Sequence, residues 1–232
     1  MKHPPGPVLS WLSHLIEWPV EELSSEHNAS LKVVLHRGRY KLITDGAIYS
    51  FSDLYANYRK TFEQLQWPQP PYESCLILGL GMASIPDMLT TKFKKDMEFT
   101  AVEIDEAVTS LAYKYVLFPK KIKVQVFTAD AGSFLEWHEG SYDMICSDVF
   151  VGDLIPEDLE STEALEAMRD LLNPGGILLY NRLSRYKQDV AKNLKFRDEV
   201  FLNVFPKGGF LDVDGNWMFV SNMAMFPGVS NV

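Results

Sequence analysis

The stretch Ser74-Cys75-Leu76-Ile77-Leu78-Gly79-Leu80-Gly81 decides the fold. Cys75 to Leu78 is an uninterrupted apolar run, the pattern of a strand buried on both faces. Gly79 and Gly81 then let the backbone turn sharply, with no Cβ in the way. Ile85–Phe93 carries helical spacing. Strand, glycine turn and helix together open a βαβ unit.

Working downstream, the alternation repeats. Glu98–Ile104 predicts a strand, and Asp105 can cap a helix through Val116. Lys123–Thr128 and Tyr142–Ser147 predict two more strands, with a helical turn at Ser133–Trp137 between them. Ser161 or Thr162 caps a helix to Leu172, Asn173-Pro174-Gly175-Gly176 stops it, and Ile177–Asn181 is a strand. A helix follows over roughly Arg185–Asn203. Gly209–Val213 and Asn216–Ser221 flank Asp214-Gly215 as an antiparallel hairpin. The expected class is α/β. It is a Rossmann-like sheet of seven strands, mostly parallel, with a C-terminal antiparallel hairpin.

Upstream the pattern differs. Val8–Trp18 has the spacing of a short amphipathic helix. Leu31–His36 and Tyr40–Thr44 flank Arg37-Gly38-Arg39, and Ala47–Phe51 follows the Asp45-Gly46 turn. Ser52 or Asp53 can cap a helix to about Gln66. Trp67-Pro68-Gln69-Pro70-Pro71 then breaks the chain. Residues 1–70 are therefore expected to form a small N-terminal β-hairpin and helix unit, and residues 71–232 a ligand-binding domain.

Composition narrows the function. The 232 residues carry 22 Lys and Arg against 31 Asp and Glu, a net charge of −9. That disfavours nucleic acid as a partner, because phosphates need a basic face, and it permits a cationic small molecule. Cys75 and Cys146 lie in apolar runs and read as reduced core residues. His3, His14, His27, His36 and His138 show no metal-ligand spacing, so no metal is expected. No apolar run approaches the ~20 residues of a membrane span. Met1–Pro7 lacks a signal-peptide core, so the expected compartment is the cytoplasm.

Ligands of open parallel sheets bind beyond the carboxyl ends of the strands. The residues there are Gly79, Gly81 and Met82, then Glu103, Ile104 and Asp105, then Asp130 and Ala131, then Asp148, and after the fifth strand Asn181. Glu103 can accept hydrogen bonds from both hydroxyls of a ribose, a task found with nicotinamide and adenosyl cofactors alike. A dinucleotide loop would place Gly or Ala where Ser84 stands. Asp130 can meet an adenine amino group. These features favour an adenosyl sulfonium. Some of these residues also have ordinary structural uses: Asp105 as a helix cap, and Met82 as core filler. Tyr49, Tyr55 and Tyr58 can close the pocket from the N-terminal unit, although Tyr55 and Tyr58 also have packing spacing. Asp153, with Glu157 and Asp158, either lines an acidic mouth or begins a solvated helix.

Residues 74–223 resemble the class I S-adenosylmethionine-dependent methyltransferase fold, and more narrowly its spermidine synthase-like branch. The resemblance rests on Leu76-Ile77-Leu78-Gly79-Leu80-Gly81, Ala101-Val102-Glu103-Ile104-Asp105, Thr128-Ala129-Asp130-Ala131, Tyr142-Asp143-Met144-Ile145-Cys146-Ser147-Asp148 and Leu172-Asn173-Pro174-Gly175-Gly176. Ile77 stands where many methyltransferases carry an acid, as in the aminopropyltransferase branch. Thr44-Asp45-Gly46 resembles that branch's N-terminal β unit. The resemblance implies that Asp148 takes a proton from the attacking amine or orients it. It also implies a small-molecule acceptor and, as is common in the family, a homodimer.

The departures are specific. Aminopropyltransferases read Gly-Gly-Gly-Asp-Gly at the cofactor loop, where the Asp holds the aminopropyl amine; here Met82 and Ala83 bring no acid. Their second acid after the fourth strand is Val151, with Asp153 nearby, and their N-terminal Gln is Tyr49. The expected activity is therefore transfer from S-adenosylmethionine, with methyl transfer to an unidentified acceptor first. The alternative is an aminopropyltransferase using decarboxylated S-adenosylmethionine and a polyamine. The second alternative is a cofactor-binding protein without catalysis.

Overall fold

The computed structural model describes residues 6–44, 47–213 and 215–228. Four antiparallel strands form the first sheet: β1 (Trp18–Leu23), β2 (Leu31–His36), β3 (Arg39–Thr44) and β4 (Ala47–Ser50). The second sheet has β5 (Ser74–Leu78), β6 (Glu98–Glu103), β7 (Val124–Thr128), β8 (Tyr142–Ser147), β9 (Leu172–Leu183), β10 (Gly209–Asp212) and β11 (Asn216–Val220). Its order is β10-β11-β9-β8-β5-β6-β7. β5 to β9 pair in parallel, while β11 runs antiparallel to both β9 and β10. The seven-stranded class expected from the alternation is the one observed.

The central strand shows why its sequence has no polar alternation. Successive side chains point to opposite faces. Cys75 and Ile77 enter one apolar core, while Leu76 and Leu78 enter another. The first core also takes Leu31, Leu42, Tyr58 and Phe62, so it runs from the N-terminal strands onto the large sheet. The second core is built from Phe134, Leu165 and Phe219 on the other face.

Several local expectations need correction. The first helix is Pro7–Leu12, and Trp18 opens β1 instead of closing a helix. Leu15, Ile16 and Trp18 remain exposed, so no core holds a longer helix there. β1 lies at the sheet edge, where Pro19 costs no ladder bond to a further strand. Neither Ser52 nor Asp53 caps the next helix, Ala56–Gln64; Tyr55 occupies the cap position. Instead the Ser52 hydroxyl donates to Asp87 and Asp53 pairs with Arg39 at 2.5 Å. The strand expected at Ile177 begins at Leu172, with a register shift opposite Tyr142 and Met144. The helix before it ends at Asp170, ahead of the Pro-Gly-Gly run. The Asp45-Gly46 turn and Asp214 lie outside the described residues.

Candidate functional site

The strand ends open onto one cavity of about 330 Å³. Gly79, Gly81, Glu103, Ile104, Asp130, Ala131, Asp148 and Asp153 all line it. β6 and β7 supply Glu103 and Asp130 on one side. β8 brings Asp148 to the middle, and β9 and β11 bring Asn181 and Asn216 on the far side.

Two glycines shape the floor. Gly79 adopts φ +84°, and a Cβ there would lie 2.5 Å from the Asp148 carbonyl oxygen. Glycine at 79 thus lets β5 and β8 end side by side, whatever binds above. Gly81 also has positive φ, at 52°. Its N–H donates to Glu103 Oε2 at 3.0 Å, and the Asp105 N–H donates to Oε1 at 3.1 Å. Burial pushes the Glu103 carboxyl up, against the pull of these backbone amides. Each carboxylate oxygen keeps a second lone pair, so Glu103 can still accept from ligand hydroxyls.

Asp148 is the most perturbed acid at the site. Burial raises its pKa to about 6, although hydrogen bonds from Asn181 and Tyr55 oppose the shift. Asn181 Nδ2 donates to Asp148 Oδ1 at 2.8 Å, and Asn216 Nδ2 donates to Asn181 Oδ1 at 2.9 Å. The chain Asn216–Asn181–Asp148 fixes the amide orientation, because each donor needs the next acceptor. Burial and then the Asp148 charge push the Tyr55 phenol well above its ordinary range.

Met82 and Asp105 do not reach the cavity lining. Met82 is buried in the apolar core. Asp105 caps the helix Glu106–Ala112 through the Ala107 N–H. It also accepts from the Ser25 hydroxyl and, at 2.7 Å, from Asn28 Nδ2. Burial would raise its pKa, but these donors and the helix amides hold it below the usual range. Asp130 caps the helix Ala131–Trp137, accepting from the Ser133 N–H at 2.8 Å, and lines the cavity as well. Tyr49 belongs to β4, and its side chain lies outside the described residues. Tyr58 donates to the Ser147 carbonyl at 2.9 Å, a packing use between helix and sheet.

The cavity also takes Tyr55, expected as a pocket-closing residue, together with Asn216 and Arg185, which the sequence does not single out. Tyr55 is brought by the N-terminal unit, and Asn216 by strand pairing with β9. Asn181 lies in the lining, as its place at the end of the fifth parallel strand predicts. Ser84 holds the roof: its hydroxyl lies 2.6 Å from that of Ser50 and accepts from the Phe51 N–H at 3.0 Å.

An adenosyl group fits this donor set. Acceptor-only carboxylates at Glu103 and Asp130 suit ribose hydroxyls and an adenine amino group. The half-exposed Ile104 offers an apolar surface for a ring. The cavity volume lies at the low end of ordinary small-ligand sites, which run from about 300 to 1,000 Å³. Among the described residues no cluster of His, Cys, Asp or Glu could hold a metal ion, and no helix is long and apolar enough to cross a membrane.

Similarity to known proteins points the same way. A probable polyamine aminopropyl transferase of Bifidobacterium longum is 36% identical over 141 residues, 61% of this chain and 31% of that protein. The polyamine aminopropyltransferase of Vibrio vulnificus is 34% identical over 121 residues, 51% of this chain and 40% of its own length. The chain thus spans about a third of the curated relatives it matches. Shorter stretches match methyltransferases, at 33% identity over 81 residues for a tRNA adenine N6-methyltransferase of Serratia proteamaculans. The solved spermidine synthase of Thermotoga maritima superposes with a TM-score of 0.66 at 15% identity, covering 88% of this chain and 72% of that one. No family model matches. The chain therefore has the fold of the spermidine synthases, and over 61% of its length its sequence is similar to that of a probable polyamine aminopropyl transferase.

Proposed function

We propose that this protein transfers a group from an adenosyl sulfonium to an amine, with Asp148 receiving the amine's proton. The observation that carries this reading is the half-buried Asp148, whose pKa desolvation raises to about 6 and which Asn181 and Tyr55 orient. When bound, S-adenosylmethionine or its decarboxylated form supplies an activated carbon that needs no acid to leave the sulfur. An amine attacks only after losing its proton, and a carboxylate ionised at neutral pH within reach can take it. Asn181 and Tyr55 orient the Asp148 carboxylate by hydrogen bonds, and its remaining lone pairs are left for the amine. Glu103 anchors the donor's ribose, and the cavity walls align the partners and exclude water.

Aminopropyl transfer is the form that the sequence relatives favour, since the two stronger matches carry that activity in their names. Methyl transfer is a second reading. Its support is the cofactor loop, where Met82 is buried in the core and no acid stands to hold an aminopropyl ammonium. Thermal shift with S-adenosylmethionine, its decarboxylated form and 5′-methylthioadenosine tests both. A ligand at a hundred times its Kd should raise Tm by roughly 5–10 °C. Preference for the decarboxylated donor supports aminopropyl transfer, and preference for the intact donor supports methyl transfer. No shift with any of the three removes the transferase reading.

Glu103→Gln removes one acceptor while keeping the side-chain volume. It is expected to weaken methylthioadenosine binding about ten- to a hundred-fold by calorimetry, the worth of a hydrogen bond to a charged group. Unchanged affinity would move the ribose elsewhere.

A further inference from the structure

The two halves of the cavity differ in charge. Glu103 and Asp130 stand at the ends of β6 and β7, the donor half. Beyond Asp148, on the β9 and β11 side, the wall is made of the neutral amides Asn181 and Asn216 and of Arg185. Among the described residues Arg185 is the sole cation in the cavity lining. It follows β9 by two residues, so the sheet delivers it to the acceptor half.

Arg185 is not consumed by structure. Its side chain is 52% exposed, and its nearest carboxylate, Asp153, lies 3.9 Å away and is itself 65% exposed. By contrast Arg182, on the same strand, is buried: it pairs with Glu160 at 2.5 Å, donates to Asn193 at 2.7 Å and lies over the Phe196 ring. So of the two arginines, one holds the fold and the other faces the cavity. The Arg185 charge reaches the site, because it opposes the effects of burial and of Asp148 on the Tyr55 phenol.

A linear polyamine would find this half unsuitable. Each ammonium beyond the reacting one needs a carboxylate, and a guanidinium there repels it. Asp153 is the remaining acid in that half, and Arg185 already competes for it. A guanidinium instead matches the planar fork of a carboxylate, through two parallel N–H donors. We propose that the acceptor is an amine carrying a carboxylate, with its nitrogen at Asp148 and its carboxylate on Arg185. This rests on the transferase reading above and names the substrate class of that site.

The test uses two pairs of probes that differ by one carboxylate: putrescine against ornithine, and cadaverine against lysine. Each is titrated calorimetrically into protein saturated with 5′-methylthioadenosine. The carboxylated member of each pair is expected to bind at least tenfold tighter, and Arg185→Gln to erase that preference while leaving methylthioadenosine affinity unchanged. Tighter diamine binding, no binding by either member, or a preference that survives Arg185→Gln would overturn the proposal while leaving donor binding intact. Failure of methylthioadenosine itself to bind would instead remove the transferase reading, and the acceptor assignment with it.

Discussion

Asp148→Asn is expected to lower turnover by about a hundred- to ten-thousand-fold, the usual worth of a general base, with little change in donor affinity. The substitution keeps the acceptor oxygen that Asn181 uses at 2.8 Å, so the site geometry survives and only the proton acceptor is lost. The same variant should be more stable than the parent at neutral pH. An acid whose pKa is raised from 3.8 to about 6 on folding binds protons more tightly in the folded state. Its favourable contribution is therefore present below pH 3.8 and lost as pH rises through about 6. Above that, the ionised carboxylate costs the fold about 2–3 kcal/mol, and asparagine escapes the cost. On the proposed reading, turnover of the parent protein should fall as pH drops through about 6, because protonated Asp148 cannot accept. Steady-state rates and denaturant melts across pH 4–8 read both effects. Equal losses of donor affinity and turnover would make Asp148 a binding residue; a destabilised Asn variant would contradict the burial argument.

Gly79→Ala is expected to be the most damaging single methyl in the Gly79–Gly81 turn. The φ of +84° is one that L-residues avoid, and the new Cβ would meet the Asp148 carbonyl oxygen at 2.5 Å. The contact is backbone on backbone, so no side chain can swing aside. A loss of about 3 kcal/mol or more is expected, seen as a Tm lower by roughly 6–12 °C, together with lost nucleoside binding as β5 and β8 splay. Gly228→Ala is the control, since nothing lies within 4 Å of its Cβ position. It should leave Tm within about 1 °C, as surface changes usually do. A Gly79 variant that melts and binds like the parent would show that the loop can relax.

The fold was legible because β5 to β9 announce themselves as apolar runs punctuated by helix signals. Burial on both faces writes the same message at every position from Cys75 to Leu78. β1 was not legible: Pro19, Glu21 and Glu22 suit an edge strand, whose composition carries little strand signal. The β6 and β7 side of the cavity was legible for a related reason. Gly79, Gly81, Glu103 and Asp130 follow strands directly, so strand ends predict their meeting point. Met82 and Asp105 follow strands too, yet turn away, because position along the chain does not give side-chain direction at a tight turn. The β9 and β11 side was hidden in part, for the opposite reason. Asn216 and Arg185 converge only through pairing and packing between distant segments, which no local pattern records, whereas Tyr55 is among the expected pocket-closing residues.

The Ser84 hydroxyl has a consequence for how the protein would be loaded. It fastens the end of β4 to the turn that follows Gly81, while Asp105 fastens the Ser25–Asn28 loop to the strand end that carries Glu103. The Glu103 end of the cavity and the N-terminal strands therefore share their fastenings. Occupancy of one and order in the other become two readings of a single equilibrium, so a nucleoside at Glu103 should slow amide exchange in β2 and β3, strands that it never touches.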